Sequence, residues 1–273
     1  MNGRIIITGA SGSIGEATTR ALSEKGYRII MACRNLKKAD ATRERILSDI
    51  PSADIETRLL ELSSLSSVVS FSEDIDGPIY GLFNNAGVIS RGYALTANGL
   101  ENTFAVNYFA PYLLTRLLLP KMEPGGRIVN MVSLVTRFPH ISPSSLRPSE
   151  KDFSQLGTYS KSKLALLLFS RELSRRYPEI GVNVADPGIV DSNMISMGKW
   201  FDPIANVIFR PLCKSPESGA RPAVSAMLSG ETGRYMVGRK SKPLPSRYGD
   251  SSLEKDLWEE TGRILSEIIP VEL

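Results

Sequence analysis

A short apolar run that ends in a glycine-rich turn constrains the fold of this chain more than any other feature. Residues 4–8 read Arg-Ile-Ile-Ile-Thr, and residues 9–15 read Gly-Ala-Ser-Gly-Ser-Ile-Gly. The β-branched run predicts a buried strand, and a helical stretch from Glu16 to Lys25 follows the turn. This order is typical of dinucleotide-binding folds, because glycines let the backbone approach a pyrophosphate at a helix N-terminus. A flexible turn without a ligand is the simpler alternative.

The same alternation of strand-like and helix-like stretches continues through the 273 residues. Further strands are predicted at residues 27–33, 55–62, 78–83, 127–133, 181–185 and 233–238. Helices are predicted at residues 36–50, 101–122, 157–176, 218–228 and 251–268. Alternating strands and helices indicate a doubly wound parallel sheet. We find no repeat and no dividing linker, so we expect one α/β domain over residues 1–273, with a Rossmann-type sheet of about seven strands flanked by helices.

Composition argues against several functional classes. His140 is the only histidine, which speaks against a Ser-His-Asp hydrolase and against a histidine-rich metal site. The two cysteines form no disulfide framework, and the basic residues behind the net charge of +4 are scattered, so we expect no nucleic-acid partner. No apolar run reaches the roughly 18 residues of a membrane span. Because the first strand begins almost at once, we expect no secretory leader and a cytoplasmic protein.

Four polar residues are candidates for chemistry. Tyr159 and Lys163 lie one turn apart on the same face of a predicted helix. A phenol loses its proton near pH ~10, and an ammonium about 4 Å away in a partly dry site favours the phenolate, so the pair can transfer protons. Most such pairs only decorate a surface. Ser133 closes a predicted strand and indicates no chemistry alone, and Asn107, inside an apolar helix, is of a type that more often has a structural hydrogen-bonding role.

The end of the second predicted strand indicates which cofactor is preferred. A site for NAD(H) usually has Asp or Glu there to bind the ribose 2′-hydroxyl, whereas this chain has Arg34 and Asn35. A guanidinium could bind a 2′-phosphate through two parallel hydrogen bonds, so NADP(H) is favoured, with NAD(H) as the alternative. Arg34 could also be a solvated charge at a strand end.

Taken in order, these features resemble the short-chain dehydrogenase/reductase family over essentially the whole chain. The shared features are the glycine turn, the Asn-Asn-Ala-Gly segment at 84–87, Asn107, Ser133, the Tyr159/Lys163 pair and Pro187-Gly188. Within that family the chain is similar to the retinol dehydrogenases and their carbonyl-reductase relatives. That similarity is carried by residues 32–35, 62–65, 96–101 and 214–220.

The resemblance implies hydride transfer between NAD(P) and an alcohol or carbonyl group of a lipophilic small molecule. Tyr159 would exchange a proton with the substrate oxygen, and Lys163 would lower the pKa of Tyr159 and hold the nicotinamide ribose. Ser133 would bind the substrate oxygen, and Asn107 would fix a water in a proton relay. The cofactor contacts that it implies are Gly9, Ser11, Gly12, Ser13, Ile14, Gly15, Arg34, Asn35, Glu61, Leu62, Asn85, Ala86, Gly87, Tyr159, Lys163, Pro187, Gly188, Val190 and Ser192.

Two departures from the family pattern leave alternatives open. Ser13 replaces the middle glycine of the family's turn, and Glu61 replaces the usual Asp. The altered turn supports a second hypothesis, a catalytically weak dinucleotide-binding sensor or scaffold. The amphipathic residues 192–215 suit a lid over an apolar ligand, with contact to a membrane surface or plain core packing as alternatives. The outer faces of the Asn107 and Tyr159 helices could pair subunits in a homo-oligomer, or could equally be core.

Overall fold

The computed structural model of the chain describes residues 3–133, 140–188, 215–245 and 250–270. Its strands are β1 (Arg4–Thr8), β2 (Arg28–Cys33), β3 (Ile55–Leu59), β4 (Ile79–Asn84), β5 (Met122–Met131), β6 (Gly181–Asp186), β7 (Arg234–Val237) and β8 (Lys240–Pro243). They form one sheet in the order β3-β2-β1-β4-β5-β6-β7-β8. Strands β1 to β7 are parallel, and β8 pairs with β7 in the antiparallel direction. The strand order reverses between β1 and β4, which opens a crevice at their carboxyl ends where such sheets bind ligands.

Helices cover both faces of this sheet. They are α1 (Ser13–Ser23), α2 (Leu36–Asp49), α3 (Leu65–Glu73), α4 (Asn102–Phe104), α5 (Ala110–Leu118), α6 (Gln155–Arg176), α7 (Pro216–Leu228) and α8 (Ser251–Ile268). A π-helical segment, Ala105–Phe109, joins α4 to α5. Shorter 3₁₀ turns occupy Leu119–Lys121, Pro143–Leu146 and Glu150–Asp152.

Side chains on β1 show how the sheet separates two apolar cores. Ile6 faces a core that also contains residues of α3, α5, α6 and α8. Ile5 and Ile7 face the opposite core, with residues of α1, α2 and α7. Successive side chains of a strand point to opposite faces, so a strand buried on both sides reads as a continuous apolar run. The Ile-Ile-Ile sequence of β1 has that form, and all three side chains are fully buried.

The sheet confirms the doubly wound architecture and differs from the sequence prediction in strand number and lengths. The eighth strand, β8, was not predicted because its residues Lys-Ser-Lys-Pro are all exposed and carry no apolar alternation. The third strand ends at Leu59 rather than at residue 62. The helix predicted for residues 101–122 is a composite of α4, the π segment, α5 and a 3₁₀ turn that ends at Lys121.

Helix α8 covers the outer faces of α5 and α6. Trp258 places its ring centroid 5.3 Å from that of Tyr112 and 5.5 Å from that of Phe169. The hydroxyls of Tyr108 and Thr261 lie 2.7 Å apart in a hydrogen bond. These side chains are therefore core residues, and the part of the α5/α6 face that they occupy is not free to pair with another subunit.

Charged groups reinforce the same contact. The Glu254 side chain of α8 has no exposed area and forms ion pairs with Arg171 and Arg175 of α6, the first at 2.6 Å. A buried carboxylate is tolerated only when cations or hydrogen-bond donors compensate for its lost hydration. Across the described parts of the chain, no helix combines the length and the apolar character that crossing a membrane requires.

Candidate active site

The glycine-rich turn between β1 and α1 leaves the start of α1 open to a ligand. Helix α1 begins at Ser13. Its N-cap residue is Gly12, which has no side chain to accept a hydrogen bond from the N–H groups of the first turn. Gly9 has a φ of +64°, and a Cβ on Gly15 would lie 2.5 Å from the Gly9 carbonyl oxygen. Both positions therefore require glycine. Uncapped N–H groups at a helix N-terminus bind anions such as phosphate.

Ser13 does not obstruct this turn. It is the first residue of α1 and its side chain is exposed, so the hydroxyl lies outside the closely packed part of the turn. Ser11, Gly12 and Ile14 are half-buried beside it. The structure thus places the residues of the glycine-turn prediction together at the carboxyl end of β1, and Ser13 has no positive φ that would call for glycine.

The candidate cofactor residues after β2 and β3 are in different environments: some form local hydrogen bonds, and others are exposed or buried. Asn35 accepts a hydrogen bond from the Lys38 N–H through Oδ1 and is the N-cap of α2. Arg34, immediately before it, is exposed. Glu61 turns back on its own loop, where Oε1 accepts from the N–H and the hydroxyl of Ser63 at 3.0 and 2.8 Å. Leu62, next to it, is buried.

The Asn-Asn-Ala-Gly segment ties the end of β4 to the end of β1. The amides of Asn85 and Ala86 both donate to the Thr8 hydroxyl at 3.0 Å, and Asn85 Nδ2 donates to the Thr8 carbonyl at 2.8 Å. A Cβ on Gly87 would lie 3.2 Å from both Lys163 Nζ and Asn107 Oδ1. A side chain at this position would push the ammonium or the amide aside by a few tenths of an ångström.

Tyr159 and Ser133 meet beyond the carboxyl end of β5. Ser133 follows the last residue of β5 by two positions and hydrogen-bonds the phenol of Tyr159. Only 7% of Tyr159 is exposed. Burial raises the pKa of Tyr159, the Ser133 hydrogen bond lowers it, and the negative charge of Asp186 raises it again. The resemblance implied a lowered phenol pKa, whereas in this structure burial outweighs the lowering influence.

Lys163 presents its ammonium to the same region from the next turn of α6. Nζ donates to the carbonyl of Met131, the last residue of β5, at 2.9 Å, and 2% of the residue is exposed. Burial lowers the pKa of Lys163 to about 8, because a low dielectric disfavours the charged form. At neutral pH the group therefore still carries most of its charge, and an ammonium has three donors for hydrogen bonding.

Asn107 lies in the π segment Ala105–Phe109, and its side chain forms hydrogen bonds with other protein groups. Oδ1 accepts from the Val88 N–H at 2.8 Å, while Nδ2 donates to the Val88 carbonyl at 2.9 Å and to Ser162 Oγ at 3.1 Å. Through its amide side chain, Asn107 therefore joins the loop after β4 to helix α6.

A proline-glycine corner completes the crevice after β6. Gly188 has a φ of +72° and donates its N–H to Asp186 Oδ1 at 2.8 Å. Val190, Ser192 and all but the last residue of the lid predicted for 192–215 lie outside the described residues. His140, which the sequence did not place in a site, is exposed.

Sequence reasoning missed three polar residues that hold the site together. Thr8 binds the loop after β4, Ser162 binds Asn107, and Asp186 binds the proline-glycine corner. Asp186 carries the clearest signal, since an acidic residue at the end of a fully buried strand needs a specific partner. A hydroxyl at the end of a buried strand is a weaker signal for Thr8, and nothing in the sequence distinguishes Ser162 from other helical serines.

The residues present fit a dinucleotide. An uncapped helix start lies at the switch point of the sheet, and the exposed Arg34 lies one strand away, at the end of β2. The buried ammonium and the phenol lie on the opposite side of the switch point, at the end of β5. N–H groups that can bind an anion at one end, and a buried phenol and ammonium at the other, fit a phosphate-linked cofactor that carries a reactive ring.

Known proteins with similar sequences decide the family. The family model described as short chain dehydrogenase matches residues 4–199, which is well over half of the chain. The chain belongs to the short-chain dehydrogenase family. Retinol dehydrogenase 13 of Homo sapiens is 33% identical over 96% of this chain and 84% of that protein. The WW domain-containing oxidoreductase of Gallus gallus is 34% identical over 96% of this chain and 68% of that protein.

Solved structures agree with this assignment at the level of the fold. A protein described as uncharacterized, from Mycobacterium paratuberculosis, superposes with a TM-score of 0.80 at 28% identity, and covers 97% of this chain and 94% of its own. Salutaridine reductase from Papaver somniferum has a TM-score of 0.66 at 20% identity, over 86% of this chain and 99% of its own. This short-chain dehydrogenase is an oxidoreductase that acts on alcohol or carbonyl groups, and its family binds NAD(P).

Proposed function

We propose that this chain is an NADP(H)-dependent oxidoreductase that interconverts a lipophilic alcohol and its carbonyl compound. The observation that carries the proposal is the group formed by the buried Tyr159 and Lys163 and the half-buried Ser133 beside the crevice of the sheet. Relatives named retinol dehydrogenase 13 and retinol dehydrogenase 14, at 33% and 32% identity, support an apolar alcohol as substrate. We include the whole chain, residues 1–273, in one catalytic domain, with residues 192–215 as its lid.

The dinucleotide supplies the hydride chemistry when it is bound. Ser133 donates a hydrogen bond to the substrate oxygen, and the Tyr159 hydroxyl gives that oxygen a proton in reduction or takes one in oxidation. The two hydroxyls are fixed before reaction in a site from which water is largely excluded, so they stabilise charge that develops on the oxygen. Lys163 favours the phenolate through its positive charge and offers its free N–H donors to the nicotinamide ribose.

Arg34 is the basis for the preference for NADP(H). It is exposed at the carboxyl end of β2, where no acidic residue is present to bind a ribose 2′-hydroxyl. Lys37 and Lys38, both exposed, begin the next helix and add positive charge beside it. A 2′-phosphate would find a planar guanidinium and two ammonium groups within a few residues of one another.

The alternative of a sensor without turnover finds no support in the geometry. Its basis was Ser13, and this residue is exposed and leaves the turn intact. Tyr159, Lys163, Ser133 and Asn107 are present and buried or half-buried at the crevice.

The substitution Tyr159→Phe tests the enzymatic proposal. The variant should lose roughly 10²- to 10⁴-fold in turnover, the usual contribution of a positioned acid–base group, while it still binds NADPH. The measurement is nicotinamide absorbance with a panel of apolar aldehydes, ketones and alcohols, beside NADPH fluorescence titration. Tyr108→Phe is the matched control, because it removes another buried hydroxyl, which hydrogen-bonds Thr261. If the wild-type chain bound NADPH tightly but turned over no member of the panel, the proposal would be wrong.

The substitution Arg34→Ala tests the cofactor preference separately. Removing the guanidinium should weaken NADPH binding by roughly tenfold or more, as expected for a lost charge-assisted pair, and change NADH binding little. Titration of both nucleotides against wild type and variant measures this. Equal losses for the two nucleotides would show that Arg34 does not contact the 2′-phosphate.

A further inference from the structure

Asp186 is a buried acid that the proposed reaction does not use. It is the last residue of β6 and has no exposed area. Its Oδ2 accepts a hydrogen bond from the Tyr235 hydroxyl at 2.5 Å, and its Oδ1 accepts one from the Gly188 N–H at 2.8 Å. A carboxylate withdrawn from water is retained only when such donors compensate for its hydration, so the placement of this acid needs an explanation.

Strand register explains how these two side chains meet. Val184 of β6 pairs with Tyr235 of β7, so the two side chains lie on the same face of the sheet. Asp186 is two residues beyond Val184 and shares that face, since side chains alternate along a strand. Val184 and Tyr235 belong to the core that contains α6, so Asp186 lies on the side of the catalytic helix. From this position the negative charge of Asp186 raises the pKa of the Tyr159 phenol.

The corner after β6 depends on the same carboxylate. Pro187 has a restricted φ, and Gly188 adopts a positive φ that other residues rarely tolerate. The hydrogen bond from the Gly188 N–H to the Asp186 side chain closes an Asx-type turn over these two residues. The backbone conformation at Pro187 and Gly188 is therefore fixed by a side chain that Tyr235 holds from the neighbouring strand.

We propose that Asp186 and Tyr235 form a paired positioning unit, in which Tyr235 holds the Asp186 carboxylate and Asp186 holds both the Pro187–Gly188 corner and the electrostatic setting of Tyr159. The inference rests on the proposed function, because it assigns these two residues to the same reaction. Neither residue is placed in contact with substrate. Their role is to act through the catalytic phenol and through the corner that lines the crevice.

Few charged or titratable groups of the described residues surround this unit. Helix α6 contributes Tyr159, on which the Asp186 charge acts, and strand β7 contributes Tyr235, which hydrogen-bonds Asp186. Strand β5 and the residues that follow it contribute the Met131 carbonyl and the Ser133 hydroxyl, which are not ionised. Because Asp186 is the acid that acts on the phenol within this set, removing its charge should have an effect of predictable sign.

The first test is Asp186→Asn, which keeps an oxygen for the Gly188 N–H and removes the charge. Loss of a negative neighbour favours the phenolate, so the pH limb of turnover assigned to Tyr159 should move to lower pH by roughly half a unit or more. Glu254→Gln is the matched control, because it neutralises another buried carboxylate, in α8, far from the crevice. The control should leave that limb unmoved.

The second test is Tyr235→Phe, which removes the hydroxyl and leaves the carboxylate in place. With one donor lost, the Asp186 charge is less compensated, so the limb should move to higher pH. Because the corner is less firmly held, the KM for the cofactor should rise several-fold. Tyr108→Phe is again the matched control, and it should change neither quantity. Shifts of opposite sign from the two variants are the signature of the proposed pair, since a purely structural role would lower activity without moving the limb.

Ultraviolet titration of tyrosine ionisation separates this inference from the proposed function. The difference between each protein and its Tyr159→Phe counterpart reports the Tyr159 phenol without any substrate, and thermal unfolding shows that each variant is folded. If the wild-type chain has no turnover, the proposed function fails while the phenol titration still tests the pair. Unchanged phenol ionisation in folded Asp186→Asn, or in folded Tyr235→Phe where Asp186→Asn does not fold, would overturn the inference.

Discussion

The ammonium of Lys163 is almost completely buried and donates a hydrogen bond to the carbonyl of Met131. Burial lowers the pKa of this group from 10.5 to about 8. Between these two values the unfolded chain binds more protons at this position than the folded chain does, so this residue makes stability rise as the pH increases across that window. Below about pH 8 the folded protein keeps the Lys163 ammonium charged, and burying this charge lowers the free energy of unfolding by about 3 kcal/mol. This figure follows because each pKa unit corresponds to about 1.4 kcal/mol.

The substitution Lys163→Met should therefore stabilise the fold and abolish turnover. Methionine has an unbranched, uncharged side chain one atom shorter than that of lysine. The gain at pH 7 should be about 1–3 kcal/mol after the lost hydrogen bond to Met131 is subtracted. Denaturant unfolding of both proteins at pH 7 and pH 10 measures this. The difference between them should shrink at the higher pH, where the wild-type side chain is largely neutral when folded.

Lys161→Met is the control, because Lys161 lies on the same helix but is only half-buried. It should change the unfolding free energy by less than about 0.5 kcal/mol. A variant at 163 that was less stable than wild type at pH 7 would mean that the ammonium is held by interactions strong enough to offset its burial.

The elements differ in how far the sequence could predict them. Helix α8 was predicted at residues 251–268, and the structure has it at Ser251–Ile268, because its amphipathic period begins after the N-cap Asp250 and ends just before Pro270. The π segment around Asn107 was not predicted, since a change from i+4 to i+5 hydrogen bonding leaves the apolar pattern of a buried helix unaltered. Strand β8 was missed because its pairing with β7 uses backbone groups, which carry no sequence signal.

For the candidate site, the sequence could predict the position of the main residues but not their hydrogen-bond partners. Motif order was enough to predict that the glycine turn, Ser133, Tyr159 and Lys163 lie along one edge of the sheet, since parallel strands bring their carboxyl ends together. The partners of these residues are long-range and were not predictable from local patterns. Thr8 and Asn85 are 77 positions apart in the chain, and Tyr235 and Asp186 are 49 apart. The roles assigned to the catalytic residues remain predictions until the variants are measured.

At the scale of the whole molecule, α8 closes a face that the rest of the chain leaves apolar. Trp258 lies at the centre of this contact, with 7% exposure. The guanidinium carbons of Arg116 and Arg176 lie 4.8 and 4.6 Å from the centroid of its ring. Its partner Phe169 is ten residues after Tyr159, or roughly 15 Å along α6, so the contact supports the catalytic helix far from the reacting groups.

Trp258→Ala should accordingly reduce stability and leave the chemistry of the folded enzyme intact. Removing a buried aromatic ring costs about 3–5 kcal/mol in unfolding free energy, and here it also uncovers Tyr112 and Phe169. Denaturant unfolding measures the loss, and turnover per folded molecule at low temperature should match that of wild type. Leu59→Ala, at a side chain 56% exposed on the edge strand β3, is the control and should change stability by less than about 0.5 kcal/mol. A Trp258→Ala variant that kept wild-type stability would show that α8 is not needed to close this face. A variant that kept its fold but lost turnover would instead place the α8 contact in communication with the active site.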